Sequence, residues 1–365
     1  MTGCVAIACG GTGGHLFPGV AVADELLARG VEPLLLVSRK KVDEVALKGG
    51  RHASVALSAI GWPGLRSPKV MAFAFDLLKT YFECAGIFRE RRPVAVLGMG
   101  GFTAAVPLWL GRRRRIPTFI HESNAMPGRV TRRLANGVDR VLVGLEACRS
   151  RLPSSAAVLV TGTPVRRELF GAARGEGLAL FGFDAGRKTV LVMGGSQGAR
   201  GINDAVLGAL SVLGARIAQW QFLHLTGAED RPRVEDAYRG AGARATVLAF
   251  CNRMAAAYAV ADVALARSGA ASLAEITTAR IPSILVPFPF AADNHQWFNA
   301  KVFADAGAAI ALDQSGLDGR RLAGALGDIL DTPGRAEAMR SACESFSCVG
   351  AAGRVADAVM GVMHR

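Results

Sequence analysis

The sequence predicts an α/β protein made of two Rossmann-like domains, each built on a parallel sheet. With 365 residues, the chain exceeds the usual size of a single hydrophobic core. Short runs of Val, Ile and Leu alternate with longer amphipathic runs, a pattern typical of parallel strands covered by helices on both faces. A strand, a glycine turn and a helix start occur together twice, as VAIACGGTGGH at 5–15 and as TVLVMGGSQGARGIN at 189–203. This repeat indicates two copies of one domain type.

The strands are predicted from apolar runs bounded by glycine or polar residues. The runs lie at 5–9, 33–38, 54–60, 94–100, 117–122, 140–144 and 158–162 in the first half, and at 189–195, 222–227, 245–250, 263–266, 283–288 and 309–312 in the second. Pro18 near the first turn and Gly30 as a stop predict the first helix. Residues 351–365 have the pattern of a final amphipathic helix. Periodicity lapses over 162–177, so we expect the domain boundary there.

The positive charge is concentrated in the first half of the chain. The net charge is +13, and residues 1–165 carry 22 Lys and Arg against 11 Asp and Glu. Residues 166–365 are nearly balanced, with 21 against 19. An anionic surface or partner is therefore expected to meet the first half.

The composition indicates a protein of a reducing compartment. The beginning MTGCVAIACGG lacks a basic n-region, so we expect no secretory signal peptide. The longest apolar stretches fall short of the ~20 residues that span a bilayer. The seven cysteines are scattered without a CxxC pair, which argues against a disulfide framework or a zinc site.

The two glycine turns favour a ligand site, although each is a weak signal by itself. Turns of this kind expose backbone N–H groups at the positive end of a helix, where phosphates bind. The dinucleotide pattern GxGxxG fails in the first turn because Leu16 replaces the third glycine. An NADP reductase, with Arg39 and Lys40 at the cofactor, stays open as an alternative function. It also stays open that the glycines only allow tight packing of helix on strand. Two such turns in one chain favour a ligand cleft.

The motifs together identify a family. They occur in the order GGTGGHLFPG (10–19), GMGGF (98–102), HESNAMPGRVTRRLA (121–135), GTPVR (162–166), GGSQGARGIN (194–203), ARSGAASLAEI (266–276) and VPFPFAADNHQWFNA (286–300). This set closely resembles the MurG-type UDP-N-acetylglucosamine:N-acetylmuramyl-(pentapeptide) pyrophosphoryl-undecaprenol N-acetylglucosamine transferases. The resemblance implies a GT-B fold, in which two Rossmann-like domains with parallel sheets face each other across a cleft.

The resemblance also implies how the domains divide the work. An acceptor- and membrane-binding domain would comprise 1–165 and a last helix at about 348–365, and a UDP-GlcNAc-binding domain would comprise 166–347. The implied reaction moves GlcNAc from UDP-GlcNAc to the 4-hydroxyl of MurNAc in lipid I. Configuration inverts, and the product is lipid II for peptidoglycan synthesis. No DxD motif occurs, so we expect neither a metal nor another cofactor.

His15 is the candidate general base, because an imidazole accepts a proton near neutral pH. Alternatively, His15 packs or caps its loop, and Glu122 competes for the role of base. The resemblance places Thr12, Gly13 and Gly14 where donor sugar and acceptor diphosphate meet. It places Asn124 against the donor sugar or the reacting hydroxyl.

The implied donor site draws on several segments of the second half. Glu275 would bind both ribose hydroxyls of UDP, although Ser272 and Glu275 also match a helix capping box. The remaining candidates are Ala270, Ala271, Ser272, Leu273 and Ala274 beside Glu275, Ser196 and Arg166 for the diphosphate, Phe250 and Cys251 for the uracil, and His295 and Gln296 for the sugar. His295, Cys251 and Phe102 depart from the residues that the family often carries.

Two apolar and basic segments of the first half predict a membrane surface. Residues 67–92 are apolar with flanking Lys and Arg, and 106–115 read VPLWLGRRRR. A solvated amphipathic helix is the plainer alternative. No stacking platform for bases accompanies the arginines, so we expect no nucleic acid partner. We expect peripheral attachment to the anionic cytoplasmic face of the plasma membrane.

Other functions remain open from the sequence. A UDP-GlcNAc 2-epimerase, or a glycosyltransferase with another lipid acceptor, would share the fold. A basic binding module without catalytic activity is the alternative outside the enzymes.

Overall fold

The computed structural model describes residues 3–40, 43–44, 47, 50–61, 70–195 and 197–363. The chain forms two compact units, one of Met1–Arg166 with Cys348–Arg365 and the other of Arg167–Ser347. Each unit contains a single parallel sheet with helices packed on it.

The first unit has a seven-stranded sheet in the order β3-β2-β1-β4-β5-β6-β7, with every pair parallel. Its strands are β1 (Cys4–Ala8), β2 (Glu32–Ser38), β3 (Ala53–Leu57), β4 (Ala95–Gly98), β5 (Thr118–Glu122), β6 (Arg140–Val143) and β7 (Val158–Val160). The central strands are apolar throughout because helices cover both faces of the sheet, and all five residues of β1 are buried.

The described part of the first unit contains five helices. They are α1 (Gly13–Ala28), α2 (Val70–Arg91), α3 (Ala105–Arg113), α4 (Arg129–Leu134) and α13 (Ala351–Met363), within the described residues, with short 3₁₀ turns at Phe102–Ala104, Ala135–Gly137 and Glu146–Arg151. The last helix, α13, contributes buried Val355, Ala356 and Val359 to the cluster that α1 packs into. The guanidinium of Arg354 donates to the carbonyl of Thr161 (2.8 Å), which ties α13 to the end of β7.

The second unit repeats this design with six parallel strands in the order β10-β9-β8-β11-β12-β13. Its strands are β8 (Lys188–Met193), β9 (Trp220–Leu225), β10 (Arg244–Leu248), β11 (Val263–Ala266), β12 (Ser283–Leu285) and β13 (Ala309–Ala311). Each of the apolar runs singled out in the sequence overlaps one strand of the two sheets.

The helices of the second unit, as far as the described residues go, surround this sheet. They are α5 (Arg174–Phe181), α6 (Arg200–Leu210), α7 (Arg231–Gly240), α8 (Met254–Val260), α9 (Ala270–Thr278), α10 (His295–Asp305), α11 (Gly319–Asp331) and α12 (Arg335–Cys343), with 3₁₀ turns at Arg167–Leu169, Gly214–Ala218, Ala292–Asn294, Gln314–Gly316 and Glu344–Phe346. Trp220 and Tyr238 are the largest side chains fully enclosed by its core.

The strand order of each sheet reverses beside its first strand, between β1 and β4 and between β8 and β11. In such sheets the loops at the carboxyl ends of these strands diverge and leave a crevice where ligands bind. The turns Gly10–Gly14 and 194–199 follow β1 and β8, and Glu275 lies on the helix that follows β11. The fold thus puts the glycine motifs at the reversal point of each sheet.

Candidate active site

The first glycine turn is shaped by close packing against β2. A Cβ atom on Gly10 would overlap the backbone between Val37 and Ser38, and Gly11 has a φ of +106°. Only glycine fits these two positions. The packing interpretation of the sequence therefore holds for Gly10 and Gly11.

Asp43 holds this turn in place and was missed as a functional residue in the sequence. The carboxylate is fully buried, and Oδ2 accepts hydrogen bonds from the backbone N–H of Gly11 (2.8 Å) and Ser38 (3.0 Å) and from Oγ of Ser38 (2.6 Å). Oδ1 has no hydrogen-bond partner among the described residues. The only feature of the sequence that could have pointed to Asp43 is that an acidic residue stands five positions after the second strand.

This arrangement argues against a dinucleotide in the first turn. The N–H of Gly11, which would face a phosphate, donates to Asp43 instead, and a phosphate would meet a buried carboxylate. The Lys40 ammonium donates to the carbonyl oxygen of Gly11 (3.1 Å) and so serves the turn itself.

His15 lies in the first turn of α1 with its ring held on two sides. Oγ1 of Thr12 is 3.1 Å from Nδ1 of His15. The ring packs on the loop after β4, because a Cβ atom on Gly100 would lie 3.4 Å from Nε2 and one on Gly101 would lie 3.0 Å from Cε1. The GMGGF motif therefore provides room for the imidazole. Half-buried and oriented, His15 has the geometry of a general base.

Gly13 and Gly14 form the start of α1, where Thr12 is the N-cap residue. The N–H groups in the first turn of a helix have no intrahelical acceptor. The N–H groups of His15 and Leu16 donate to the Thr12 carbonyl, which tightens this end.

Glu122 ends β5, and the structure gives its carboxylate a structural task. Oε1 accepts from the backbone N–H (3.0 Å) and Nδ2 (2.9 Å) of Asn124, and Oε2 accepts from the N–H of Gly128 (2.8 Å) and Oγ1 of Thr131 (2.9 Å). The side chain is also buried. With four donors, the acceptor sites of a carboxylate are filled. This geometry argues against Glu122 as the base. It also shows that Asn124 is held by the Glu122 carboxylate.

His121 is a buried structural histidine. Nε2 donates to the carbonyl oxygen of Gly162 (3.0 Å), and Oγ of Ser123 lies 3.4 Å from Nδ1. Burial lowers the pKa of His121, and the charge of nearby His15 acts in the same direction.

Arg166 lies at the end of the first unit and stacks on α1. Its Cζ is 4.2 Å from the ring centroid of Phe17. Nε of Arg166 is buried and lacks a hydrogen-bond partner within the described residues. An unsatisfied buried N–H is costly unless a ligand completes it.

The second glycine turn interlocks with the loop after β9. A Cβ atom on Gly198 would overlap the Thr226 carbonyl, and one on Gly227 would overlap the carbonyl of Gln197. Both glycines have positive φ, +77° and +82°. Ser196 lies outside the described residues.

The helix that carries Glu275 begins earlier than the capping box requires. Gly269 is the N-cap of α9, and the N–H of Leu273 already donates to the Gly269 carbonyl (3.0 Å). Ser272 is therefore the third residue of the helix, which excludes the capping-box explanation for Glu275. Ala270, Ala271 and Ser272 form the first turn.

Leu273 and Ala274 follow the first turn of α9. Both side chains are buried in the core, and the N–H of Leu273 is used within the helix. These two side chains therefore belong to the core, and the assignment of both residues to the donor site stays a prediction.

Glu275 has a buried partner that the sequence did not reveal. Oη of Tyr258, on α8, donates to Oε2 of Glu275 at 2.6 Å. Tyr258 lies in the alanine-rich run MAAAYAV, which is typical of a core helix.

Phe250 and Cys251 follow β10 and have opposite surroundings. The Phe250 ring is exposed, whereas Cys251 is buried, and burial raises the pKa of its thiol. Because the Cys251 side chain is buried, the polar groups that this residue can present to a ligand are those of its backbone.

His295 and Gln296 start α10 after an unusual turn. Asp293 and Asn294 have φ of +50° and +51°, a region that costs energy for residues other than glycine and is found at functional sites. Nδ1 of His295 donates to the Ala292 carbonyl (2.8 Å), which leaves Nε2 as the acceptor of a neutral ring. Oε1 of Gln296 accepts from the N–H of Phe288 (2.9 Å).

Arg267 organises the loop after β12 and was not predicted. Nη1 donates to the carbonyls of Val286 and Pro287 (both 3.1 Å), and Nη2 donates to Oε1 of Gln314 (2.6 Å). Desolvation lowers the pKa of the Arg267 guanidinium.

No group of three His, Cys, Asp or Glu side chains that could hold a metal ion occurs among the described residues. The described residues of the first unit offer a helix start and the held imidazole of His15, and those of the second unit offer helix starts and the oriented carboxylate of Glu275.

Comparison with known proteins identifies the family. The model of the glycosyltransferase family 28 N-terminal domain matches residues 5–143, and that of the C-terminal domain matches residues 189–354. A protein of Geobacter sulfurreducens named UDP-N-acetylglucosamine--N-acetylmuramyl-(pentapeptide) pyrophosphoryl-undecaprenol N-acetylglucosamine transferase is 38% identical over 356 residues, which cover 96% of each chain. A protein of the same name from Geobacter sp. (strain M21) is 36% identical over 97% of this chain and 95% of its own.

Solved structures agree with this family. Acinetobacter baumannii MurG is similar with a TM-score of 0.76 and 27% identity, covering 98% of this chain and 99% of that one. The S. aureus MnaA–UDP structure, at 13% identity and a TM-score of 0.71 over 100% and 97% of the chains, shares the fold. The predicted class, two Rossmann-like domains of the GT-B type, is confirmed. The chain belongs to glycosyltransferase family 28 and, within it, to the UDP-N-acetylglucosamine–N-acetylmuramyl-(pentapeptide) pyrophosphoryl-undecaprenol N-acetylglucosamine transferases.

Proposed function

We propose that the protein transfers GlcNAc from UDP-GlcNAc to the 4-hydroxyl of MurNAc in lipid I, with inversion, and so forms lipid II. The observation that carries this proposal is the 36–38% identity to transferases of that name over almost the whole chain. The glycine turns, the imidazole and the oriented carboxylate are the parts that such a transfer needs.

His15 is the proposed base. With Nδ1–H donating to Oγ1 of Thr12, Nε2 presents a lone pair to the acceptor hydroxyl. The 4-hydroxyl proton passes to Nε2, and the oxygen forms a bond to C1 of GlcNAc. The bond from C1 to the phosphate oxygen breaks at the same time, and UDP leaves with its electron pair. The support for His15 over Glu122 is that Glu122 already accepts four hydrogen bonds.

The departing diphosphate gains negative charge, which needs positive groups to stabilise it. The start of α6, which follows the GGSQGA motif in the sequence, and the start of α9, at Ala270, Ala271 and Ser272, offer helix N–H groups for this purpose. Arg166 offers a fixed cation whose buried Nε lacks a protein partner among the described residues.

The rest of the donor is assigned by chemistry. Glu275 binds the ribose hydroxyls, because a carboxylate accepts from two donors at once. Backbone groups of Phe250 and Cys251 bind the uracil. Nε2 of His295 accepts from a sugar hydroxyl, and the Gln296 amide assists at the same sugar.

Peripheral attachment to the anionic cytoplasmic surface of the membrane belongs to the same proposal. Met71, Phe75, Leu78 and Phe82 recur every three or four residues, so they share one face of α2, and each is more than half exposed. The last turn of α2 carries Arg89 and Arg91, and residues 112–115 at the end of α3 are four arginines. Cζ of one of them, Arg113, lies 4.8 Å from the Trp109 ring centroid. Among the described residues, no helix is both long and apolar enough to cross a bilayer.

The function is tested by measuring UDP release from UDP-GlcNAc with a short-chain lipid I analogue. We expect turnover that requires the acceptor and a disaccharide product with a β linkage. Release of UDP without transfer, or epimerisation of UDP-GlcNAc, would contradict the proposal and favour another enzyme of this fold.

A further inference from the structure

Tyr258 is a buried tyrosine in a helix that otherwise carries only small and apolar side chains. Its exposed fraction is 4%, and its neighbours in α8 are Met, Ala and Val. A buried phenol hydroxyl requires a hydrogen-bond partner. The Tyr258 hydroxyl donates to Oε2 of Glu275, at 2.6 Å.

This bond restricts the carboxylate that the proposed function assigns to the ribose. The last torsion of a glutamate side chain is broad and roughly two-fold, so an unrestrained carboxylate rotates. A donor fixed at Oε2 selects one orientation, while a carboxylate has about four acceptor positions in all. A carboxylate held in one orientation binds two vicinal hydroxyls without the cost of ordering it first.

The hydroxyl of Tyr258 is fixed because α8 itself is fixed. Nη1 of Arg174 donates to the carbonyl of Val260 (2.7 Å) at the end of α8, and Nη2 donates to Asp262 (3.0 Å). Gly177 lets α5 approach, since a Cβ atom there would lie 2.8 Å from the Ala256 carbonyl oxygen. These contacts hold the last turns of α8 against α5.

We propose that Tyr258 is a positioning residue that orients Glu275 and thereby sets the preference of the donor site for a nucleotide with free ribose hydroxyls. The inference rests on the proposed ribose-binding role of Glu275. Tyr258 touches Glu275, and its effect on the donor passes through that carboxylate.

The variant Tyr258→Phe removes only the hydroxyl. The KM for UDP-GlcNAc is expected to rise about tenfold, because one hydrogen bond to a charged group is lost. The kcat and the KM for the lipid acceptor stay within about twofold of the unmodified protein. The matched control is Tyr238→Phe, which removes the same atom from another buried tyrosine of the second unit. There Oη lies 3.1 Å from Nδ1 of His224, and we expect an unchanged KM for UDP-GlcNAc.

Binding of UDP and of 2′,3′-dideoxy-UDP, measured by calorimetry, separates positioning from a general structural role. Tyr258→Phe should weaken UDP about tenfold and leave the dideoxy compound within about twofold. Equal weakening of both ligands, or of neither, would overturn the inference. In a Glu275→Ala background, Tyr258→Phe should cause no additional loss of UDP affinity.

Glu275→Ala alone distinguishes the two proposals. If it leaves the affinity for UDP unchanged, the ribose assignment fails and the role of Tyr258 fails with it. If it weakens UDP while Tyr258→Phe does not, only the positioning role is wrong.

Discussion

Asp43 and His15 act on the same turn through different atoms. Asp43 accepts the N–H of Gly11 and so fixes the backbone just before α1. Four residues after Gly11, the imidazole of His15 is held by Thr12 and by Gly100–Gly101. A turn that looks like a phosphate loop in the sequence thereby presents a side chain instead.

Replacing His15 with Ala should lower kcat by about 10²–10⁴, because the proton acceptor is lost. The KM for UDP-GlcNAc should change little. His52→Ala is the matched control, since His52 is bonded to Asp24 (2.6 Å) outside the proposed site and should affect stability alone. A rise in KM with unchanged kcat would refute the role of His15 as base.

His224 makes the stability of the second unit depend on pH. It is fully buried, with Nε2 3.0 Å from Oδ1 of Asn203, and burial lowers the pKa of His224 to about 3. The unfolded chain binds a proton below about pH 6.5, whereas the folded state does so only near pH 3. The free energy of unfolding should therefore fall by about 2 kcal/mol from pH 7 to pH 5 on account of His224.

Urea denaturation of the chain and of His224→Gln at pH 7 and pH 5 measures this contribution. The variant should show a smaller loss of stability on acidification. An identical pH dependence in both proteins would assign the effect to other groups, such as His121, whose pKa is lowered as well.

At the scale of whole elements, the second glycine turn shows how a glycine lets two loops interlock. Gly198 has a φ of +77° and no room for a Cβ atom beside the Thr226 carbonyl. Gly182 has a φ of +68°, and a Cβ atom there would meet nothing within 4 Å. The two positions share the backbone conformation and differ in crowding.

Gly198→Ala should therefore cost more stability than Gly182→Ala, which pays only about 1 kcal/mol for its conformation. Gly198→Ala should also raise the KM for UDP-GlcNAc, since the turn before α6 moves. Equal losses of unfolding free energy in the two variants would contradict this prediction, because they would mean that the loop after β9 makes room for the Gly198→Ala methyl group at no energetic cost.

The exposed apolar face of α2 predicts that this helix binds the membrane surface. Phe75→Asp with Phe82→Asp places two charges on that face and should abolish most flotation with vesicles of phosphatidylglycerol and phosphatidylethanolamine. Leu180→Asp is the control, because Leu180 is an exposed apolar residue of α5 in the second unit. Flotation that survives the double change, or is lost equally in the control, would argue against this face.

At the scale of the whole molecule, the first unit is completed by the last helix of the chain. Val359 of α13 is fully buried in the cluster that includes Leu16 and Leu26 of α1. Val359→Ser should lower the free energy of unfolding of the first unit by about 2–3 kcal/mol.

Val349→Ser provides the matched control for this prediction. Val349 is 70% exposed just before α13, so the same change should leave stability within about 0.5 kcal/mol. Fluorescence of Trp109 on α3, followed during denaturation in a background where the other three tryptophans are replaced by Phe, reports on this unit. A similar effect of both changes would contradict the packing of α13.

The sequence by itself determined the strands, the parallel sheets and the two-fold repeat, because buried β-runs and glycine turns are local patterns. It also pointed to His15 and Glu275 through motifs of adjacent residues. The tertiary structure decided what those motifs do. The partners Asp43, Tyr258 and Arg267 lie 17 to 47 positions from residues that they bind. No period of 2 or 3.6 residues connects such positions, so only folding brings them within hydrogen-bond distance.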